Sequence, residues 1–292
     1  MSPKSQDVAV PVPGGHINVW LRPGHPGGAT AVLVHGLSGN SRWWSTVIDH
    51  LPRHLGIIAL DVRGRGLSTD APPPYDLTTA SDDIARALDH LQVERAIVAG
   101  YSMGGWVAAL FGVDHADRVE RVVLVDGGLP IPLPEDVGAD EFIDALVGPS
   151  LRRLEVEFDD PEAYFDYWGS HPALAPYWDD DMGAGLGHEL EERDGRFVVR
   201  ANPEAIRVGG TELAIGERPN VAWERLRVPT HLIVVERGTL DQAGGMTPLA
   251  VAESAAADNP NLTVEYLADL NHYTLVLGAG APAVAAAIAG SG

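Results

Sequence analysis

Ser102 stands between two glycines in Gly100-Tyr101-Ser102-Met103-Gly104. Residues 96–99 ahead of it are all apolar and read as a short buried strand. Behind it, Trp106, Val107, Leu110 and Phe111 recur at helix spacing. A serine on a sharp strand-to-helix turn has its hydroxyl lifted clear of the sheet. Glycines flank such a turn because a Cβ would crowd the backbone. The hydroxyl is a weak nucleophile near neutral pH and needs a base within reach. The Met103 N–H opens the following helix, where the positive dipole end favours a developing oxyanion. With twelve serines and 33 glycines in the chain, about 0.15 matches to the bare Gly-x-Ser-x-Gly spacing are expected by chance. The strand–turn–helix setting makes the match specific.

The base expected for Ser102 is His272. Among eleven histidines it alone follows the last strand, in Asn271-His272-Tyr273. An acid must hold the imidazole in one tautomer and stabilise the imidazolium. Asp126, Asp241 and Glu236 are the candidates, and all three keep the chain order serine, acid, histidine. Asp126 is preferred; it ends a strand directly before Gly127-Gly128, a place where a loop aspartate could also merely cap a turn. Asp61 precedes the serine and is read, with Arg63, as fixing its own loop. His50 and His54 are four apart, as a metal pair would be, but lack further ligands and read as a helix face or end. No metal and no cofactor are expected.

The elements that must position these groups follow from periodicity. Residues 8–12 and 16–21 alternate about Pro13-Gly14-Gly15 and predict an antiparallel hairpin. Further strands are predicted at 30–34, 57–60, 96–99, 119–125, 230–235 and 263–267. Helices are predicted after a Ser41 cap, over 81–91, after the Ser102 turn, over 248–257 and at the Ala-rich end. Alternating strands and helices imply a doubly wound, mostly parallel sheet, an α/β class. Such sheets gather chemistry at their C-terminal strand ends, where Gly36, Asp61, Ser102, Asp126 and His272 fall.

Strands are expected to stop over residues 129–218. Pro130, Pro132 and Pro134 mark the exit from the sheet. Helical pieces are expected around 141–147 and 161–168, and Asn202-Pro203-Glu204 reads as a helix start. Trp43, Tyr101, Tyr164, Trp168 and Trp178 are expected to bind substrate, those of residues 129–218 as an aromatic ceiling over Ser102. A small core for that segment is the competing use.

Together the motifs resemble the α/β-hydrolase superfamily: His35-Gly36 after the third strand, Asp61-x-Arg63-Gly64-x-Gly66-x-Ser68 after the fourth, Gly100-x-Ser102-x-Gly104, and the late His272. The resemblance implies an eight-stranded sheet, a Ser–acid–His triad, and an oxyanion hole from the Leu37 and Met103 backbone N–H groups. It implies that His35 supports the oxyanion loop. Many members take the acid from a Gly-x-x-Asp after the seventh strand, where this chain has Gly238. Some capped relatives, lactonases among them, take it from the place of Asp126. Serine at the turn argues against the branches that use Asp there. The implied organisation is core at 1–128, a mostly helical cap at 129–218, and core at 219–292. The implied reaction is cleavage of a carboxylic ester or lactone through an acyl-enzyme. C–C bond hydrolysis, perhydrolysis or ligand binding without turnover are the alternatives.

Composition narrows the class. The chain has 292 residues, no cysteine and a formal charge of −21. Thiolate catalysis and disulfides are excluded. Nucleic acid and anionic membranes are poor partners for such a surface, so the expected partner is a small ester or lactone. No stretch is long and apolar enough to span a membrane, and residues 1–13 carry no apolar leader, so a cytoplasmic location is expected. Monomer and homodimer both remain open. Residues 129–218 carry 21 acidic residues and seven arginines, most of them expected on a solvated face. No Gly-x-x-x-x-Gly-Lys-Ser/Thr sequence points to nucleotide binding.

Overall fold

In the computed structural model, residues 5–133 and 136–290 are described, with Asp180, Asp181 and Ala184 described by backbone alone. Pro134 lies outside the described residues. The hairpin forms as β1 (Gln6–Val12) and β2 (Gly15–Arg22), in register from Gln6↔Leu21 to Val12↔Gly15. Four strands follow: β3 (Thr30–Val34), β4 (Gly56–Leu60), β5 (Ala96–Tyr101) and β6 (Val119–Val125). A separate two-stranded ribbon pairs β7 (Leu190–Arg193) with β8 (Arg196–Val199), and β9 (Thr230–Arg237) and β10 (Leu262–Asn271) complete the main sheet. Its order is β1-β2-β4-β3-β5-β6-β9-β10. The β1–β2 and β2–β4 pairs are antiparallel and the rest parallel.

Helices cover both faces. In the first half these are α1 (Ser45–His50), α2 (Leu77–His90) and α3 (Met103–Asp114). Between β6 and β9 lie α4 (Ala139–Leu154), α5 (Pro161–Gly169), α6 (Asp180–Gly187), α7 (Pro203–Ile215) and α8 (Glu217–Arg225). The chain ends with α9 (Leu249–Asp258), α10 (Thr274–Leu277) and α11 (Ala281–Ala289). Strand alternation divides the core. Along β5, Ala96 and Val98 pack with α2 and α3, whereas Ile97, Ala99 and Tyr101 pack with α1 and α11. Among the described residues no helix is long and apolar enough to cross a membrane.

Four expectations need correction. The stretch between β6 and β9 is not free of strands. Asp194 and Gly195, at φ +50° and +78°, turn the β7–β8 ribbon in the conformation that Asp-Gly favours. Asn40, not Ser41, is the cap, and it caps a 3-10 turn over Ser41–Trp44 that leads into α1: its side chain accepts from Arg42 N, while Ser41 N donates to Asp61. Helix α2 starts earlier than 81, because Asp76 accepts from Thr79 N at 2.7 Å and caps it. The boundary expected at 218/219 falls inside α8, which packs on α3 of the sheet layer.

Candidate active site

The turn after β5 is as tight as its glycines require. A Cβ on Gly100 would lie 1.9 Å from the Gly104 carbonyl oxygen, and one on Gly104 would lie 2.1 Å from the Val34 carbonyl oxygen. Ser102 itself sits at φ +53°, ψ −125°, outside the regions an L-residue prefers. Such a conformation costs on the order of 1–3 kcal/mol and persists only where the surroundings impose it. Here β5 and β6 impose it: Ser102 N donates to the Val125 carbonyl at 2.9 Å, and α3 starts at the next residue.

Asp126 leaves β6 at φ +45° and is fully buried. Its Oδ2 lies 2.7 Å from His272 Nδ1, and its Oδ1 has no partner among the described residues. The carboxylate therefore serves the imidazole. Accepting the Nδ1–H fixes the tautomer that leaves Nε2 free as a base. The ring is held from other sides as well. The Tyr101 ring lies against it at a centroid distance of 4.8 Å, and Tyr101 Oη donates to the His272 carbonyl at 3.1 Å. Burial raises the Tyr101 pKa, so the phenol stays a donor. The other two acid candidates lie elsewhere. Asp241 accepts from Asn271 Nδ2 at 2.8 Å and pairs with Arg237, and Glu236 accepts from Asp269 N.

The loop after β3 is pinned from behind. His35 Nδ1 donates to the Gly36 carbonyl at 2.7 Å, and Nε2 accepts from Val62 N at 3.0 Å. Complete burial holds its pKa down to about 4, with Asp61 working against the shift. The ring is thus neutral and bridges two loops. Asp61 accepts from Ser41 N, Leu67 N and Asn18 Nδ2, the loop-fixing use expected of it; Arg63 pairs with Asp83. Arg65, 1% exposed, donates to the carbonyls of Leu37, Arg63 and Ala205, and burial lowers its pKa to about 9. It remains a cation at neutral pH behind Leu37 and Met103. Among the described residues, neither the Leu37 N–H nor the Met103 N–H has an acceptor in the chain.

Ser102, His272, Leu37, Trp43 and Tyr101 line one cavity of about 90 Å³. Tyr164, Trp168 and Trp178, expected as a ceiling over Ser102, do not line it. Tyr164 is fully buried, its hydroxyl joined to Glu189 and to Arg153. Arg153 pairs with Glu189, donates to the Ser38 carbonyl at 3.2 Å and lies 4.8 Å over the Trp168 ring. Trp43 Nε1 also donates to Glu189. Burial opposes the charge on Arg153, but Glu189 overrides it and holds the pKa above the ordinary arginine value. Trp178 packs against Gly169 and Gly183. Tyr164 and Trp168 complete a polar knot under the cavity wall instead of facing substrate.

The wall that sequence reasoning missed comes from Leu146, Ser150 and Leu213, together with Thr239, Met246 and Tyr273. Tyr273 adjoins His272 and was within reach of the motif. Nothing in the local pattern marks Met246, whose Sδ lies 3.9 Å from Ser102 Oγ.

Comparison with known proteins agrees with this architecture. A family model described as the alpha/beta hydrolase fold matches residues 31–197. A serine hydrolase-like protein of Danio rerio is 35% identical over 43% of this chain and 40% of its own length. A putative carbamate hydrolase, RutD, of Caulobacter vibrioides is 31% identical over 35% of this chain and 38% of its own length. The chain thus spans 30–40% of the length of the curated relatives it matches. Among solved structures, E-2-(acetamidomethylene)succinate hydrolase superposes with a TM-score of 0.75 at 22% identity, covering 94% of each chain. A thermophilic esterase of Thermogutta terrifontis superposes at 0.68 and 20% identity, covering 98% of this chain and 97% of its own. With the family model covering more than half its length and its strand order matching that architecture, this chain belongs to the α/β-hydrolase fold family.

Proposed function

We propose that the chain is a serine hydrolase that cleaves a carboxylic ester or lactone through an acyl-enzyme. The observation that carries the reading is the buried His272–Asp126 hydrogen bond, 2.7 Å long, at the cavity that Ser102 enters on its strained turn. In this reading Ser102 Oγ turns from Met246 towards His272 Nε2 when substrate binds; catalytic hydrogen bonds are often loose before that point. Nε2 takes the hydroxyl proton as Oγ attacks the carbonyl carbon. The Leu37 and Met103 N–H groups receive the oxyanion, with Arg65 holding the Leu37 carbonyl behind them. His272 then gives its proton to the leaving oxygen. Water, deprotonated by the same nitrogen, releases the acid and frees Ser102. Residues 129–216, ahead of α8, act as the cap that encloses the cavity, and no cofactor enters the scheme.

A second reading replaces the ester by a carbamate or amide; the partial likeness to a protein named as a putative carbamate hydrolase favours it. The acyl-transfer steps are unchanged except that His272 protonates nitrogen. Hydrolysis of p-nitrophenyl acetate by wild type and by Ser102→Ala tests the common core. Loss of about 10⁴-fold or more in kcat is expected for the variant. Undiminished turnover removes the serine from the mechanism. Comparing matched ester, lactone and carbamate substrates then separates the two readings.

A further inference from the structure

The catalytic cavity is small. Its volume is about 90 Å³, against about 450 Å³ for its neighbour. Trp43 and Tyr273 stand on one side of it, with the Arg153–Glu189–Tyr164 knot packed behind Trp43. On another side, Leu146, Thr239 and Met246 are shared with a second cavity of about 450 Å³. Ile131, Pro132, Phe142, Ala145 and Pro248 build the rest of its apolar wall. Among the described residues no ionisable side chain lines it. Met246 is the partition, with its sulfur on the nucleophile and its side chain on both cavities.

We propose that the second cavity is the acyl-chain subsite and takes an uncharged apolar chain. Met246 is then the residue that sets access to it. This rests on the serine-hydrolase reading above. The direction follows from the chemistry of the leaving group. The leaving oxygen must face His272, which lines the small cavity and not the large one. The acyl chain, attached to the same carbonyl, is left to cross the wall at Met246. Methionine suits this place because its unbranched side chain shifts rotamer at little cost.

The test is a chain-length series. p-Nitrophenyl acetate, butyrate, hexanoate and octanoate are compared on the whole chain, alongside acetates of alcohols of the same lengths. If the subsite fills, each added acyl methylene raises kcat/KM by roughly threefold to fourfold, the transfer value of one buried methylene. Ala145→Trp, at an exposed position that borders the large cavity, is expected to lower octanoate turnover more than acetate turnover and so flatten the acyl series. Met246→Ala is expected to raise octanoate relative to acetate. Acetate turnover with a flat acyl series overturns the subsite, and so does a steep series that Ala145→Trp leaves untouched. Dependence on alcohol length instead of acyl length overturns its direction. Absence of any ester turnover, with Ser102 unlabelled by a fluorophosphonate, is a different failure: it removes the serine-hydrolase reading and the subsite with it.

Discussion

Among the described residues the Asp126 carboxylate has one hydrogen-bond partner, His272 Nδ1, and neither other acid candidate reaches that ring. Asp126→Asn keeps the shape but replaces an acceptor by an amide that stabilises the wrong tautomer. A loss of about 10²–10⁴ in kcat is expected, with Asp241→Asn and Glu236→Gln far less affected. Near-wild-type kcat in Asp126→Asn with a large loss in Asp241→Asn reverses the assignment. His35 gives a pH prediction at the same scale. Its folded pKa is held near 4, below an unfolded value of 6.5. Between these values the unfolded chain takes up a proton that the folded chain refuses. Stability therefore falls as pH drops from about 6.5 towards 4, by up to ~1.4 kcal/mol per pH unit from this residue, and is unaffected by it above that window. Urea unfolding across that range, wild type against His35→Gln, checks the slope; equal slopes contradict it.

Elements meet at the loop after β3. Helix α4 reaches it through Arg153 to the Ser38 carbonyl and through Ser150 to the Ser38 hydroxyl. Glu189, just before β7, reaches Trp43 at its far end. The segment between β6 and β9 thus clamps the loop that carries the proposed Leu37 oxyanion donor. Arg153→Met leaves Glu189 buried without its cation, and a loss of about 3–5 kcal/mol is expected. Replacing Glu189 by Met as well is expected to restore much of it, because the lone buried charge is gone. Thermal unfolding of the single and double variants decides; a single variant as stable as wild type contradicts the clamp. This knot explains why Tyr164 and Trp168 misled. Aromatic spacing shows that a side chain is available, but its partners are 11 and 25 residues from Tyr164 and meet it only in space. The eight strands of the main sheet were legible, because alternating or continuous apolar runs report burial directly. The β7–β8 ribbon was not: Leu190-Glu191-Glu192-Arg193 carries three charges, and only its Asp-Gly turn announces it.

At the scale of the molecule, the parallel sheet brings together residues 24 and 146 positions apart in the chain, Ser102 to Asp126 and Asp126 to His272. Each leaves the C-terminal end of its strand, β5, β6 or β10, and the three ends lie on one edge of the sheet. That convergence was readable from the order of the motifs. The pocket was not, since its wall is set by how α4, α7 and the β9–α9 loop happen to pack, and no periodicity encodes those contacts. The central claim is that Ser102 carries the acyl group. Intact-mass measurement after brief exposure to an activated short-chain ester, or to a fluorophosphonate, tests it most directly. The wild-type chain is expected to gain the mass of one acyl or phosphonyl group, and Ser102→Ala none. No adduct on the folded wild-type chain, or an equal adduct on Ser102→Ala, would contradict it.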